Sequence, residues 1–306
     1  MKGRELKIFS HEPVMLNEVI DLIKNFSSPA CSADRLNILD GTLGLGGYSE
    51  AFLKNFPDCR VIGLDRDERA INFSLERLKN FGDRFSARHA NFSEIAAINN
   101  EDFNVYVFDL GVSNMQISDP ERGFSFQNDG PLDMRMNTND ENLLTAREVL
   151  ENYDEKFLAK IFWDYGEEKF SRQIASAIKK SKKTLATTGD LVNLIRETLP
   201  QPVQRKMGTH PARRVFQALR IFVNNEMQEL ENLLKSLGGI KNNALIIFVA
   251  YHSLEDRIIK KTFRQWQTDD KGKILTKHPM TPAENEIEKN YKARSAKLRA
   301  FSIIRG

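Results

Sequence analysis

The sequence predicts an α/β fold, a parallel sheet interrupted by an inserted helical domain, and three observations carry that expectation. Short apolar segments recur, each closing on an acidic or glycine-rich corner. Asn37–Leu39 precedes Asp40, Arg60–Leu64 precedes Asp65, and Val105–Phe108 precedes Asp109, while Ala244–Ala250 runs into Tyr251-His252-Ser253. Amphipathic stretches such as Glu68–Lys79 separate the first three segments. Strands alternating with helices indicate a parallel sheet, whose ligands sit at the carboxyl ends of the strands. The third observation is an interruption. Residues 117–206 hold a polar loop, Asp119–Asp140, and then helical patterns, with no β-rich run.

Each element has its own signal. Met15, Val19, Leu22 and Ile23 fall at helical spacing and predict a helix over Met15–Lys24. A third strand is expected at Arg84–Ala90. Within the interruption, helices are expected at Lys156–Tyr165, Lys169–Lys182 and Asp190–Glu197, the last opened by a turn at Thr187–Gly189 and closed by Pro200 and Pro202. A helix over Pro211–Leu237 returns the chain to the sheet. The expected domains are therefore 1–116 with 207–306, and an inserted helical domain over 117–206.

Composition narrows the function classes. The 306 residues are 41% hydrophobic and 28% charged, an ordinary globular balance. No apolar run approaches the ~20 residues of a membrane span, and the opening MKGRELKIFSHEP lacks the apolar core of a secretory signal. Cys31 and Cys59 form no CxxC pair, so neither a disulfide framework nor a zinc site is expected. The expected compartment is the cytoplasm, with no membrane partner. Net charge is only +3, but Arg205, Lys206, His210, Arg213, Arg214 and Arg220 crowd one stretch. Lys292, Arg294, Lys297 and Arg299 crowd another. Such runs suit either a solvated face or a phosphate backbone.

The sharpest motif is Asp40-Gly41-Thr42-Leu43-Gly44-Leu45-Gly46-Gly47, a strand end running into glycines that let a ligand approach the backbone. Counted from Gly44, the sixth position is Ser49, so the GxGxxG of nicotinamide sites is absent, and no GKS or GKT ending marks a P-loop. Asp40 would oppose a pyrophosphate but suits a cationic ligand bearing an amino-acid moiety, such as S-adenosylmethionine. Asp65 follows Gly47 by 18 residues (65 − 47), about the spacing at which a carboxylate grips ribose hydroxyls. The alternative for Asp65 is a helix cap.

Beyond these corners, longer strings occur in order: DGTLGLGG (Asp40–Gly47), DLGVS (Asp109–Ser113), RGFSFQNDGPLDMRM (Arg122–Met136) and YGEEKF (Tyr165–Phe170). HPARRVFQALR (His210–Arg220), HSLEDR (His252–Arg257) and ARSAKLR (Ala293–Arg299) follow. From His11-Glu12-Pro13-Val14 to Arg299 the chain resembles the bacterial RsmH family, also called MraW. Its members methylate the exocyclic N4 of a cytidine in small-subunit (16S) ribosomal RNA. The resemblance implies a Rossmann-like class I methyltransferase sheet with an inserted substrate-recognition domain. It also implies S-adenosylmethionine contacts at Gly46, Gly47, Tyr48, Asp65, Phe92, Asp109 and Gln116, and no metal. The family carries His where this chain has Tyr48, which is immaterial if that contact runs through the backbone.

The substrate side follows from the chemistry. Cytosine N4 is a poor nucleophile, and an acceptor for its protons would localise the lone pair. The corner after the fourth segment reads Asp109-Leu110-Gly111 without the Pro-Pro of many amino-methyltransferases, so Asp109 is the expected acceptor, with Asp133 behind it. Phe124 and Phe126 are candidates for stacking on a splayed base or for the core. Arg213, Arg214, Arg220, Arg294, Lys297 and Arg299 are candidates for phosphates. Ser253 with Asp256 suits a capping box, which competes with any chemical role for His252. The expected partner is 16S ribosomal RNA within the small subunit, with room for a homodimer. A non-catalytic RNA-binding protein on the same fold is the rival from another class.

Overall fold

The strands are β1 (Asn37–Asp40), β2 (Arg60–Asp65), β3 (Phe85–His89), β4 (Val105–Asp109), β5 (Ala244–Ala250), β6 (Gly272–Ile274) and β7 (Lys297–Ile303). A computed structural model describes residues 13–26, 36–98 and 102–305; His11, Glu12 and Cys31 lie outside them. The seven strands form one sheet in the order β3-β2-β1-β4-β5-β7-β6. β1 to β5 run parallel, and β7 pairs antiparallel with both β5 and β6. From β1 the chain builds outward through β2 and β3, then crosses back to start the other side at β4. A crevice therefore opens outside the carboxyl ends of β1 and β4, the position at which open α/β sheets bind ligands.

Both faces of the sheet are covered, which is why its strands read as apolar runs rather than polar–apolar alternation. The side chains still alternate. Ile38, Val105, Val107, Leu245, Ile247 and Val249 pack on one face with helices Leu16–Phe26 and Gly47–Asn55. Leu39, Tyr106, Phe108, Ile246 and Phe248 pack on the other, with Leu230, Leu234, Phe263 and Trp266 from helices Glu226–Leu237 and Ser253–Thr268. No helix among the described residues is long and apolar enough to cross a membrane.

The structure divides into two compact units. One comprises the described residues up to Gly111 and from Met227 on; the other is Val112–Glu226. The second unit holds helices Ala146–Asn152, Glu155–Gly166, Ser171–Lys180, Thr188–Thr198, Gln201–Lys206 and Arg213–Val223 around its own core, which includes Phe124, Leu158, Phe162, Ile174, Leu191, Phe216 and Leu219. Much of the RGFSFQNDGPLDMRM string serves this unit's backbone. Met134 N donates to Arg122 O at 3.0 Å, and the Arg122 guanidinium donates to Arg135 O and Met136 O at 3.0 and 2.8 Å.

Two expectations need correction. The helix expected over Pro211–Leu237 is two helices, broken after Val223. Asn225 adopts a left-handed backbone (φ 51°), while the buried Asn224 carboxamide accepts from Met136 N at 2.7 Å and donates to Met134 O at 2.7 Å. A polar side chain that satisfies two distant backbone groups outweighs the continuous apolar periodicity. The basic run at Lys297 and Arg299 is strand β7, not an exposed basic face. Arg299 is buried and its Nε meets Asp256 at 2.6 Å; Lys297 reaches the same carboxylate at 3.3 Å.

Replacing Asn224 with Ala leaves Met134 O and Met136 N without that partner. The variant should lose roughly 1–3 kcal/mol of stability in the helical unit, the cost of buried groups left unpaired. Hydrogen exchange at residues 134–136 reads it, and unchanged protection there would refute the role given to Asn224.

Candidate active site

The glycine loop is fixed by the sheet beneath it. Gly41 N donates to Val107 O at 2.9 Å and Leu43 N to Leu64 O at 2.8 Å, which binds the loop to the neighbouring strands. Gly44 and Gly46 turn the chain with left-handed backbones (φ 51° and 75°), and helix Gly47–Asn55 starts immediately after. A Cβ on Gly46 would lie 3.1 Å from Leu78 Cδ1 and Ser74 Oγ. That glycine is therefore demanded by its own backbone and by the helix behind it. A substitution there damages the loop itself, so it cannot isolate a ligand contact. The first N–H groups of the helix have no partner within the helix, and that of Ser49 turns to the Asp40 carboxylate, a pairing typical of a helix start.

Three carboxylates stand at adjacent strand ends. Asp40, at the end of β1, is buried, and accepts from Ser49 Oγ at 2.7 Å. Burial pushes its pKa up to about 6 against the effect of that hydrogen bond. Asp65, at the end of β2, accepts from Gly44 N at 2.8 Å through one oxygen and from Asp67 N at 2.9 Å through the other. Burial raises its pKa, and the backbone donors partly restrain it. Helix Glu68–Leu78 is capped by Asp67, not Asp65, so the cap alternative for Asp65 falls away. A carboxylate has about four acceptor sites, and these two backbone bonds leave others for a hydroxyl pair.

Asp109, at the end of β4, has its N–H held by Thr42 Oγ1 at 2.6 Å and its Oδ1 by the Tyr251 hydroxyl at 2.7 Å. Burial lifts its pKa to about 7; the Tyr251 bond opposes the rise, while the Asp40 and Glu255 charges add to it. Burial, followed by the Asp109 charge, holds the Tyr251 hydroxyl protonated far above the ordinary tyrosine range. Tyr251 is in turn anchored by its N–H, which donates to Glu255 Oε2 at 2.9 Å. The capping box of helix Ser253–Thr268 is formed by His252 and Glu255, one residue earlier than the expected Ser253 and Asp256.

The other expected positions separate clearly. Phe92 is half-buried, meets Phe108 edge-on at 6.3 Å, and has the Arg66 guanidinium 6.0 Å from its ring centroid. Tyr48 is a core residue whose hydroxyl donates to Val14 O, so only its backbone is available at the loop. Gln116 lies in the helical unit, where it completes a capping box with Ser113. Phe124 is buried in that unit's core, whereas Phe126 is half-buried and stacks on His210 at 4.7 Å. Arg213 and Arg214 are exposed, and Arg214 donates to Glu167 O at 3.2 Å. Arg220 is engaged by Glu226 through two bonds of 2.8 and 2.9 Å, which removes it from the exposed basic set. Asp133 is likewise paired with Arg135 at 2.9 and 2.8 Å. Arg294 is exposed beside Tyr291.

Sequence reasoning missed Ser49, Thr42 and Tyr251, the three hydroxyls that hold Asp40 and Asp109. Tyr251 carried a signal. It directly follows β5, whose Val249 is the register partner of Asp109, but that pairing needs the strand order.

The sequence matches the model of the MraW methylase family over residues 8–304. It is 42% identical to "Ribosomal RNA small subunit methyltransferase H" of Carboxydothermus hydrogenoformans, across 95% of this chain and 97% of that protein. Proteins of the same name from Picosynechococcus and Halothermothrix orenii are 47% and 42% identical. The alignments cover 85% and 97% of this chain and 88% and 99% of those proteins.

Because the Tyr251 hydroxyl bond favours the ionised form of Asp109, Tyr251→Phe should move the Asp109 titration above about 7. Carbon-13 NMR of the aspartate carboxyls follows it directly. A midpoint that stays put or falls would show that the Tyr251 bond does not govern Asp109.

Proposed function

The chain belongs to the MraW methylase family, and on that ground we propose that it transfers the methyl group of S-adenosylmethionine to the exocyclic N4 of a cytidine in 16S ribosomal RNA. The observation that carries the reading is the set of three carboxylates at the ends of β1, β2 and β4, around the point where the strand order reverses. A crevice with that charge disfavours a pyrophosphate and favours a sulfonium ligand with an ammonium group. The relatives named for small-subunit ribosomal RNA supply the substrate class, and the resemblance supplies the N4 position. A cytoplasmic site of action follows from such a substrate.

The residues take roles that their geometry supports. The backbone of Gly46, Gly47 and Tyr48 at the helix start receives the amino-acid end of the cofactor. Asp65 accepts from the ribose hydroxyls, and Phe92 flanks the adenine. Asp40 offsets the cofactor's positive charge from beneath the loop. We assign the helical unit to substrate recognition. Exposed Arg213, Arg214 and Arg294 are the candidates for phosphate contacts, with Arg220 committed to Glu226.

S-adenosylmethionine supplies the reactive carbon; the protein supplies position and electrostatics. As N4 attacks, positive charge develops on the amine and one of its protons must leave. Asp109, with a pKa near the working pH, is suited to accept that proton or to stabilise the charge, and Tyr251 fixes the orientation of its carboxylate.

The test is direct. Unmethylated small subunits are incubated with the protein and S-adenosylmethionine bearing a deuterated methyl group, and the RNA is digested to nucleosides for mass spectrometry. Labelled N4-methylcytidine is the expected product, and its absence with an active, cofactor-loaded protein refutes the assignment. For the ribose contact, Asp65→Ala should weaken cofactor binding by ~1.5–3 kcal/mol, the range for hydrogen bonds to charged groups. Asp65→Asn, which keeps an acceptor for Gly44 N, separates the ribose contact from support of the loop. Calorimetry showing unaltered affinity in both folded variants would remove Asp65 from the site.

A further inference from the structure

The outer part of the sheet carries a cleft that the proposed chemistry does not use. It lies among helix Ser253–Thr268, strand β7 and the segment that follows β6, all within the unit that carries the glycine loop. Its wall includes Phe263, Thr276 and four cationic side chains, Lys260, Arg264, Lys277 and Arg299, and no carboxylate. The volume is about 30 Å³. That is far below the ~300–1,000 Å³ of small-molecule sites, so the cleft suits a single group reaching in from solvent and not a whole nucleotide.

Helix spacing and strand register bring these groups together. Asp256, Lys260 and Arg264 recur every four residues, so they share one face of helix Ser253–Thr268. Leu275 N donates to Ala300 O at 3.0 Å and Ala300 N to Thr276 Oγ1 at 2.9 Å, which lays the segment after β6 along β7 beside Arg299. Phe263 is buried and gives the cleft an apolar wall, where charges are less screened by water and attract an anion more strongly. Arg299 is only 6% exposed, and Asp256 engages its Nε at 2.6 Å. Asp256 is shared with Lys297, so it offsets one charge of this set. A guanidinium has five N–H donors, and among the described residues the other four of Arg299 have no hydrogen bond. Thr276 is equally buried, accepts from Ala300 N and keeps its own O–H proton to donate. Buried donors without acceptors are costly, and an anion in the cleft supplies the acceptors. Lys260, Arg264 and Lys277 are exposed at the rim and form no ion pair among the described residues.

We propose that this cleft seats one phosphodiester group of the RNA substrate, with Arg299 and Thr276 at its base and Lys260, Arg264 and Lys277 at its rim. The proposal rests on the RNA reading above and gives the sheet unit its own hold on the RNA backbone. Helix Ser253–Thr268 starts beside Tyr251, whose hydroxyl meets Asp109. At about 1.5 Å per residue, Lys260 and Arg264 stand roughly 10 and 17 Å along that helix from its start. The phosphate held here therefore belongs to backbone flanking the target cytidine. Such contacts fix the register of a nucleic acid without reading its sequence.

Lys260→Gln combined with Lys277→Gln removes two rim charges and leaves the buried contacts in place. Binding to unmethylated small ribosomal subunits is measured over a series of potassium chloride concentrations. The slope of log affinity against log salt should become shallower by about 0.7–0.9, the counterion release of one phosphate. KM for small-subunit RNA should rise about tenfold, the loss that one hydrogen bond to a charged group carries, while kcat holds. Lys235→Gln combined with Lys241→Gln changes the net charge equally at exposed positions on the approach to the amino end of β5, and should leave slope and KM near their original values. An unaltered slope in the folded Lys260/Lys277 variant, or an equal loss in the Lys235/Lys241 variant, would overturn the proposal. Inorganic phosphate probes the other source of the same chemistry. It should shift the NMR signal of the Ala300 N–H, which bonds to Thr276, in the original protein and not in the Lys260/Lys277 variant. No shift at any phosphate concentration would overturn the proposal, and a saturable shift with an unaltered RNA slope would replace it with a free-phosphate site. A shallower slope in a protein that fails to methylate small-subunit RNA would uphold the backbone contact while removing the proposed activity.

Discussion

Holding three carboxylates, Asp40 buried and Asp65 and Asp109 half-buried, at the ends of adjacent parallel strands is the constraint on which the rest of the site depends. An unpaired charge in a low-dielectric interior is costly, and each of these aspartates is held by donors that the fold places for it. Ser49 on the first turn after the loop serves Asp40, the backbone of Gly44 and Asp67 serves Asp65, and Tyr251 beyond β5 serves Asp109. Among the described residues these hydrogen bonds include none from arginine or lysine, and the Arg66 charge lowers the Asp65 pKa only as the last of its influences. The compensation is incomplete, as the raised pKa values of all three show. What remains is a negative crevice that a cationic ligand completes, which is the physical content of the cofactor assignment.

The same constraint organises the loop. The Asp65 carboxylate pulls Gly44 N toward β2, and Ser74 Oγ donates to Gly44 O at 3.0 Å from helix Glu68–Leu78. Arg77, on that helix, reaches Leu45 O at 2.8 Å and pairs with Glu50. The glycines are thus clamped from the second strand and its following helix. Contacts within the protein fix the loop geometry, which lowers the ordering entropy that opposes binding.

Much of this was legible in the sequence, and the reasons are specific. Apolar runs ending in Asp40, Asp65 and Asp109 reveal parallel strands because strands covered on both faces need continuous hydrophobicity. The glycine loop is visible because left-handed backbones at Gly44 and Gly46, and the close approach of Leu78 and Ser74 to Gly46, favour residues without a side chain. What stayed hidden depends on contacts distant in sequence. Strand β7 carries Lys297 and Arg299, whose charge masks a buried strand until Asp256 is brought beside them. The helix break at Asn224 depends on backbone groups about 90 residues earlier. The pairing of Tyr251 with Asp109 requires β5 to lie beside β4. The motif around Gly123–Met136 illustrates a different limit. Phe124 and Asp133 sit in strings that mark the family, yet one is core and the other pairs with Arg135. A specific string identifies a family without saying which of its residues touch a ligand.

The account turns on whether the strand-end carboxylates create the demand for a cation. Calorimetry of S-adenosylmethionine between pH 5.5 and 7.5, in buffers of different ionisation enthalpy, tests that most directly. Asp40 and Asp109 have raised pKa values of about 6 and about 7 in the folded protein, so both hold protons at the acid end of this range. A bound cation favours their ionised forms. Binding should therefore release protons near neutrality, and affinity should rise with pH across the window. Affinity that is flat with pH, with no proton release, would contradict the account.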